Sequence, residues 1–134
     1  MIRSLLVVGL LWSCGPDETI SGYTDPDTIW TLTEVDGVPY SAEAWLRFPT
    51  EGVVQGAGPC NSLTGRQAAP LPWIEITSLA VTRRACPALA DEQRFLTGLQ
   101  AATLAEPGPN ILLLTNDDGL EMVFEAGPAS ENPT

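Results

Sequence analysis

Apolar residues in this chain fall into short runs, one of them clearly alternating with polar residues, and turn residues divide these runs into short strands. Residues 28–34 (Thr-Ile-Trp-Thr-Leu-Thr-Glu) alternate apolar and polar around Trp30 and Leu32, the pattern of a half-buried strand, and Asp36-Gly37 follows as a turn. Residues 44–48 read as a second strand, ended by Pro49-Thr50-Glu51-Gly52. A third begins at 53–55, and the glycine-punctuated run 56–65 joins it to a strand at 63–67. Pro70 and Pro72 interrupt the chain before residues 73–77, and 79–82 either continue that strand beyond Ser78 or start another. The period changes once. Over residues 87–102, Leu89, Glu92, Phe95, Leu96, Leu99 and Ala102 step by three and four, and all but Glu92 are apolar, which predicts one amphipathic helix. Asp91 and Glu92 near its start suit the helix dipole. Gly98 weakens it by up to about 1 kcal/mol, tolerable where a helix lies close against a sheet. Residues 106–110 (Glu-Pro-Gly-Pro-Asn) read as a loop, and 111–115 and 120–125 as a hairpin turned at Asn116-Asp117-Asp118-Gly119. About seven short strands and one helix predict an α+β domain, a curved, barrel-like antiparallel sheet with the helix packed against it. Trp30, Trp45 and Trp73 each fall in a strand and are assigned to the core.

Ahead of this domain the pattern is different. Met1-Ile2-Arg3 is a short positive head, and the apolar run 4–12 is too short to span a ~30 Å hydrocarbon core, so residues 1–13 read as a signal peptide. Leu11-Trp12-Ser13-Cys14 resembles a bacterial lipobox, which implies cleavage before Cys14 and a lipid on its thiol. An ordinary secretory signal with an incidental cysteine is the other reading. Gly15 after the cysteine implies, by the same resemblance, attachment to the outer membrane, facing the periplasm. Residues 14–27 are polar with Pro and Gly and read as a flexible tether, 28–125 as the folded domain, and 126–134 as a disordered tail. About 105 residues remain after the tether, enough for one single-core domain and too few for two.

Charge narrows the partners. The chain carries −11, and removing Arg3 with the signal leaves five basic against 17 acidic residues, or −12. Such a surface repels nucleic-acid phosphates and anionic lipid head groups, so the expected membrane contact is through the lipid alone. All six basic residues are arginine, and Arg83-Arg84 are adjacent. Two neighbouring guanidinium groups can pair with an anionic partner or with the protein's own carboxylates.

Setting Cys14 aside leaves Cys60 and Cys86. An even pair in an exported domain favours a disulfide over free buried thiols or a reactive site, and two thiolates without histidine do not close a zinc site. Cys60 sits in Gly58-Pro59-Cys60-Asn61-Ser62-Leu63-Thr64-Gly65, where glycine permits positive φ or close backbone approach and Asn61 tolerates the same geometry. Cys86 ends Thr82-Arg83-Arg84-Ala85-Cys86.

The G-x-C-N-x-x-x-G turn, then T-x-x-x-C, then a helix with an acidic start and F-L-x-x-L resembles the META domain, the HslJ-like heat-shock protein family, here in a bacterial lipoprotein. Gly58, Cys60, Asn61, Gly65, Thr82, Cys86, Phe95, Leu96 and Leu99 carry the resemblance, which runs from about Trp30 to about Phe124. Leu63 and Gln67 stand where the family often has aromatics.

Candidate chemistry is sparse. Without histidine neither a Ser-His-Asp nor a Cys-His arrangement can form. Asp117-Asp118-Gly119 lacks the spaced ligands and distal glutamate of a calcium loop, and the glycine-rich 52–65 lacks the Lys of a phosphate loop. Glu34 and Glu75 are a carboxylate pair only if the fold brings them together. The sequence therefore names no catalytic residue, cofactor or metal ligand. The resemblance implies a non-enzymatic, monomeric envelope lipoprotein in stress response or envelope maintenance. The alternative is an inhibitor or binding module for an exported enzyme or small molecule, with Arg83, Arg84 and Asn61 as its candidate contact residues.

Overall fold

The computed structural model describes residues 15–127, so the signal segment, Cys14 and positions 128–134 lie outside the described residues. Nine strands and one helix follow one another as β1 (Ile29–Val35), β2 (Val38–Pro39), β3 (Trp45–Arg47), β4 (Val53–Ala57), β5 (Ser62–Gln67), β6 (Ile76–Val81), α1 (Leu89–Ala101), β7 (Leu104–Pro107), β8 (Ile111–Thr115) and β9 (Glu121–Gly127). The strands form one antiparallel sheet in the order β6-β5-β4-β3-β1-β9-β8-β7, with β2 paired to β1 alone. The architecture is the α+β one that the pattern predicts, with two more strands. β2 is only two residues long, too short to alternate. β7 takes in Glu106 and Pro107, assigned above to a loop; it lies at a sheet edge, where a proline's missing N–H is tolerated. β9 likewise runs to Gly127, so the chain is ordered two residues into the expected tail.

The sheet curls into a half-barrel. Its two edges meet at one end, where Trp73 bridges Leu104, Ile74 N donates to Thr103 O (3.0 Å) and Ala105 N donates to Pro72 O (2.8 Å). Inward positions of the strands, Leu32, Leu46, Val54, Leu112, Leu114 and Phe124 among them, meet Phe95 and Leu99 of α1 in a continuous core. Gly98 permits the close helix contact its position requires, since a Cβ there would lie 2.7 Å from Met122 Sδ.

The tryptophans divide by strand phase. Trp30 is inward and buried, and Trp45 is half-buried between the inward Ala44 and Leu46. Trp73 is 58% exposed, against the expectation of a core role. Ile74 and Ile76 take the inward phase, so period two turns Trp73 and Glu75 out. Leu89, at the first turn of α1, is also exposed.

The tether is shorter than expected. Ile20–Gly22 form a 3-10 turn, Ile20 is 1% exposed and part of the core, and Leu71 N donates to Glu18 O (2.8 Å). Asp17 organises the turn by accepting from Thr19 N, Thr19 Oγ1 and Ser21 Oγ. Burial pushes the Asp17 carboxyl up, but the hydrogen bonds from Ser21 and Thr19 outweigh it and hold the group below the usual carboxylate range. Gln67, 1% exposed at the end of β5, meets this turn: Nε2 lies 3.4 Å from Ser21 Oγ and from Val53 O, while Oε1 has no partner. The N-terminal segment thus closes the half-barrel at the Gln67 end, opposite the end that carries Cys60.

Candidate functional site: the cysteine turn and the groove beside it

A tight turn joins β4 to β5, with Gly58 N donating to Asn61 O (2.8 Å). Inside the turn the N–H groups of Cys60 and Asn61 have no strand to pair with. Glu92, the one polar member of the helix stripe, supplies their acceptor. Its Oε1 accepts from Cys60 N (3.1 Å) and Asn61 N (2.7 Å), and its Oε2 from Asn61 Nδ2 (2.6 Å). A carboxylate that is 2% exposed is destabilising unless its lone pairs are met, and here three N–H donors meet them. Gly58 is required by the approach, since a Cβ there would lie 2.7 Å from Glu92 Oε1. Close approach, and not positive φ, is therefore what this glycine supplies; Asn61 is not left-handed either.

Asn61 carries the ladder past the end of β6. Its Oδ1 accepts from Thr82 Oγ1 (2.9 Å) and Arg84 N (2.5 Å), and its Nδ2 donates to Arg84 O (3.0 Å). A side-chain amide offers the same C=O and N–H as a peptide group, so Asn61 behaves toward Arg84 as an additional strand residue. Thr82 completes the join: its N–H donates to Ser62 O (3.1 Å) and its Oγ1 accepts from Ser62 N (3.1 Å). The Cys60–Cys86 disulfide ties the same two stretches, with Cα atoms 5.6 Å apart. The fourth motif position, Gly65, sits opposite a bulge in β6, where Ser78 (φ 54°) is the extra residue. Residues 79–81 therefore continue the strand beyond Ser78.

The start of α1 is held from its other side by Tyr40, whose hydroxyl donates to Asp91 O (2.7 Å). Burial, reinforced by the Asp91 charge, pushes the Tyr40 phenol up to about 12.

Arg83 and Arg84 use their backbone here and leave both side chains exposed. Among the described residues the ion pair formed is Arg94–Asp91 (3.7 Å), and no carboxylate among them matches either guanidinium. They stand at the mouth of an open groove of about 530 Å³ between β6 and α1. Leu79 and Val81 line one wall and Leu89, Gln93 and Leu96 the other. The structure brings Asn61, Thr82 and both arginines together with Glu92, whose place the sequence signals only as a lone acid inside an apolar helical stripe. The remaining candidates stay apart from the groove. Glu34 and Glu75 are exposed, and Asp117-Asp118-Gly119 is a turn in which Asn116 Oδ1 accepts from Asp118 N (2.9 Å) and Leu120 N (3.0 Å). Among the described residues no three acids or cysteines cluster as a metal centre.

Comparison with known proteins places this architecture. The META domain family model matches residues 24–128. An NMR structure of a protein from Burkholderia xenovorans superposes with a TM-score of 0.63 at 23% identity, covering 84% of this chain and 92% of that one. A crystal structure of a DUF4847 family protein from Bacteroides vulgatus gives 0.57 at 13% identity, over 75% and 92%. These likenesses concern the fold. No curated protein matches the chain in sequence. The match extends over the sheet, the cysteine turn and the helix that holds it, and the chain belongs to the META domain family.

Proposed function

We propose that this chain is a non-catalytic, lipid-anchored domain of the cell envelope that acts in stress response or envelope maintenance by binding an anionic partner in the groove between β6 and α1. One observation carries the reading: two adjacent guanidinium groups without carboxylate partners among the described residues, beside a groove with Leu79, Val81, Leu89 and Leu96 in its walls, in a chain of net charge −11. Unmatched arginines beside a concave surface present charge-assisted donors to carboxylate or phosphate groups. The polar groups nearest them support a binding role over a reactive one, because Glu92 and Asn61 spend their oxygens on N–H and O–H donors of the fold. Attachment through Cys14 is supported by the lipobox-like sequence.

Co-purification from native envelopes tests this, with the wild type compared against Arg83→Ala/Arg84→Ala and captured molecules identified by mass spectrometry. A partner held by the wild type and lost by the double variant is the expected result. A partner held equally by both, or no partner, removes the groove as the binding site. Fractionation tests the anchor separately: Cys14→Ser should move the protein from the membrane to the soluble fraction.

A further inference from the structure

We propose that the free edge of β6 is a strand-addition site, where an extended apolar peptide segment of an exported protein pairs with Val81 and Arg83 and places an acidic side chain against Arg83 and Arg84. This rests on the binding reading above and names the chemistry of the partner.

β6 ends the sheet order, so one of its sides has no neighbouring strand. Antiparallel strands turn the backbone groups of alternate residues toward one neighbour and away from it. Thr82 N donates to Ser62 O and Arg84 N donates to Asn61 Oδ1, so residues 82 and 84 face β5. The Gly58–Asn61 hydrogen bond fixes the phase on the other side of β5 and turns Leu63, the partner of Val81, toward β4. The N–H and C=O of Val81 and Arg83 therefore point to the open edge. No loop, helix or side chain takes them up among the described residues.

Open edges are usually blunted, and this one is blunted elsewhere. The bulge at Ser78 disrupts the edge below Leu79, and beyond it the chain is tied to β7 through Trp73 and Leu104. What stays open is the short run 79–83, held straight by the Asn61 side chain and by the nearby disulfide. A pre-formed edge spares an incoming strand the ordering of its partner. Main-chain pairing supplies affinity in this mode, and alternate side chains supply specificity. Here those side chains meet Leu79 and Val81 on one side and Leu89 and Leu96 on the other. Charge selects the rest: the chain is strongly acidic, yet two adjacent exposed cations, Arg83 and Arg84, stand at the end of this edge. An acidic group at that point is complementary, and a basic one placed there is repelled by the two guanidinium groups.

The probe is a phage-displayed library of random dodecapeptides, panned on the full chain carrying Cys14→Ser. Selected sequences should alternate apolar residues and bear Asp or Glu near one end. Their dissociation constant should rise about tenfold or more in Arg83→Ala/Arg84→Ala. Bound peptide should slow amide exchange at Val81 and Arg83 while leaving Ala80 and Thr82, which already face β5, unchanged. Val81→Pro removes an outward N–H without removing a β5 bond and should abolish binding, whereas Val81→Ala should retain it. If Val81→Pro does not fold, amide exchange on the unsubstituted protein decides alone. Selected peptides that leave Val81 and Arg83 unprotected, or a library that yields none, overturn strand addition. The envelope co-purification does not depend on a linear peptide, so the binding reading stands or falls there separately.

Discussion

At the scale of single residues, Glu92 decides more than any other side chain. Replacing it with Gln keeps the shape but turns an N–H toward N–H donors that now meet a carboxylate oxygen. The expected loss is about 1–3 kcal/mol by urea denaturation, since a buried donor left unmatched is destabilising by roughly that much. An unchanged midpoint would show that the turn holds without it. Gln67 should behave in the opposite way. Its buried Oε1 has no partner and its Nε2 contacts are long, so Gln67→Leu removes an unmet acceptor at little loss. We expect the variant to be as stable as the parent or more stable by about 1 kcal/mol, read from the same denaturation curves. Tyr40 gives a pH signature. A phenol lifted from 10.0 to about 12 binds more protons folded than unfolded across that interval. Stability from this group is thus fully present below about pH 10 and is lost as pH rises toward 12. Tyr40→Phe should flatten that fall, and an identical alkaline profile in both proteins would contradict the assignment.

At the scale of elements, the N-terminal 3-10 turn and the cysteine turn close opposite ends of the half-barrel by different means. The first depends on one apolar side chain. Ile20→Ala should therefore destabilise the domain by about 2–4 kcal/mol, the range for a large buried aliphatic truncated to Ala. It should also expose the segment around Asp17 to proteolysis, and a variant with unchanged stability and cleavage would show that the turn merely rests on the domain. The cysteine turn depends on a cross-link and a hydrogen-bond network that share residues. The disulfide closes a separation of 26 residues, for which chain entropy gives roughly 3–4 kcal/mol. Asn61, Glu92 and Thr82 line up the two stretches without it, so their effects and that of the disulfide are not expected to add.

At the scale of the whole molecule, the proposed anchor and the proposed binding groove lie at opposite ends. Asp17, the first residue the fold engages, follows Cys14 by three positions, about 10 Å of extended chain. With a lipid on Cys14, the Gln67 end faces the bilayer and Arg83 and Arg84 face away from it. A fluorophore at Glu51, in the turn leading into β4, should be quenched by spin-labelled lipid, and one at Ala85 should not. Equal quenching at both positions would rule out this orientation.

Local chemistry decided much of this protein before any tertiary contact. Period-two patterning located β1, short strand-like runs between turn residues located β3 and β5, the Asn116 to Gly119 hairpin signal located β8 and β9, period 3.6 located α1, and Asp36-Gly37 located a turn, because each is a property of neighbouring residues. The cysteine pair and the Asn61 and Thr82 motif were legible too, as a resemblance. What the fold alone decided concerns groups distant in sequence. Trp73 faces solvent because the inward phase belongs to Ile74 and Ile76, a choice made by sheet register. Ile20 joins the core because the half-barrel leaves an end to fill, although its own neighbours read as tether. Glu92 is buried because the donors it needs lie about thirty residues earlier, on the cysteine turn. The open edge at Val81 and Arg83 belongs to strand order: a strand's unpaired side exists only once the sheet has chosen which strand comes last.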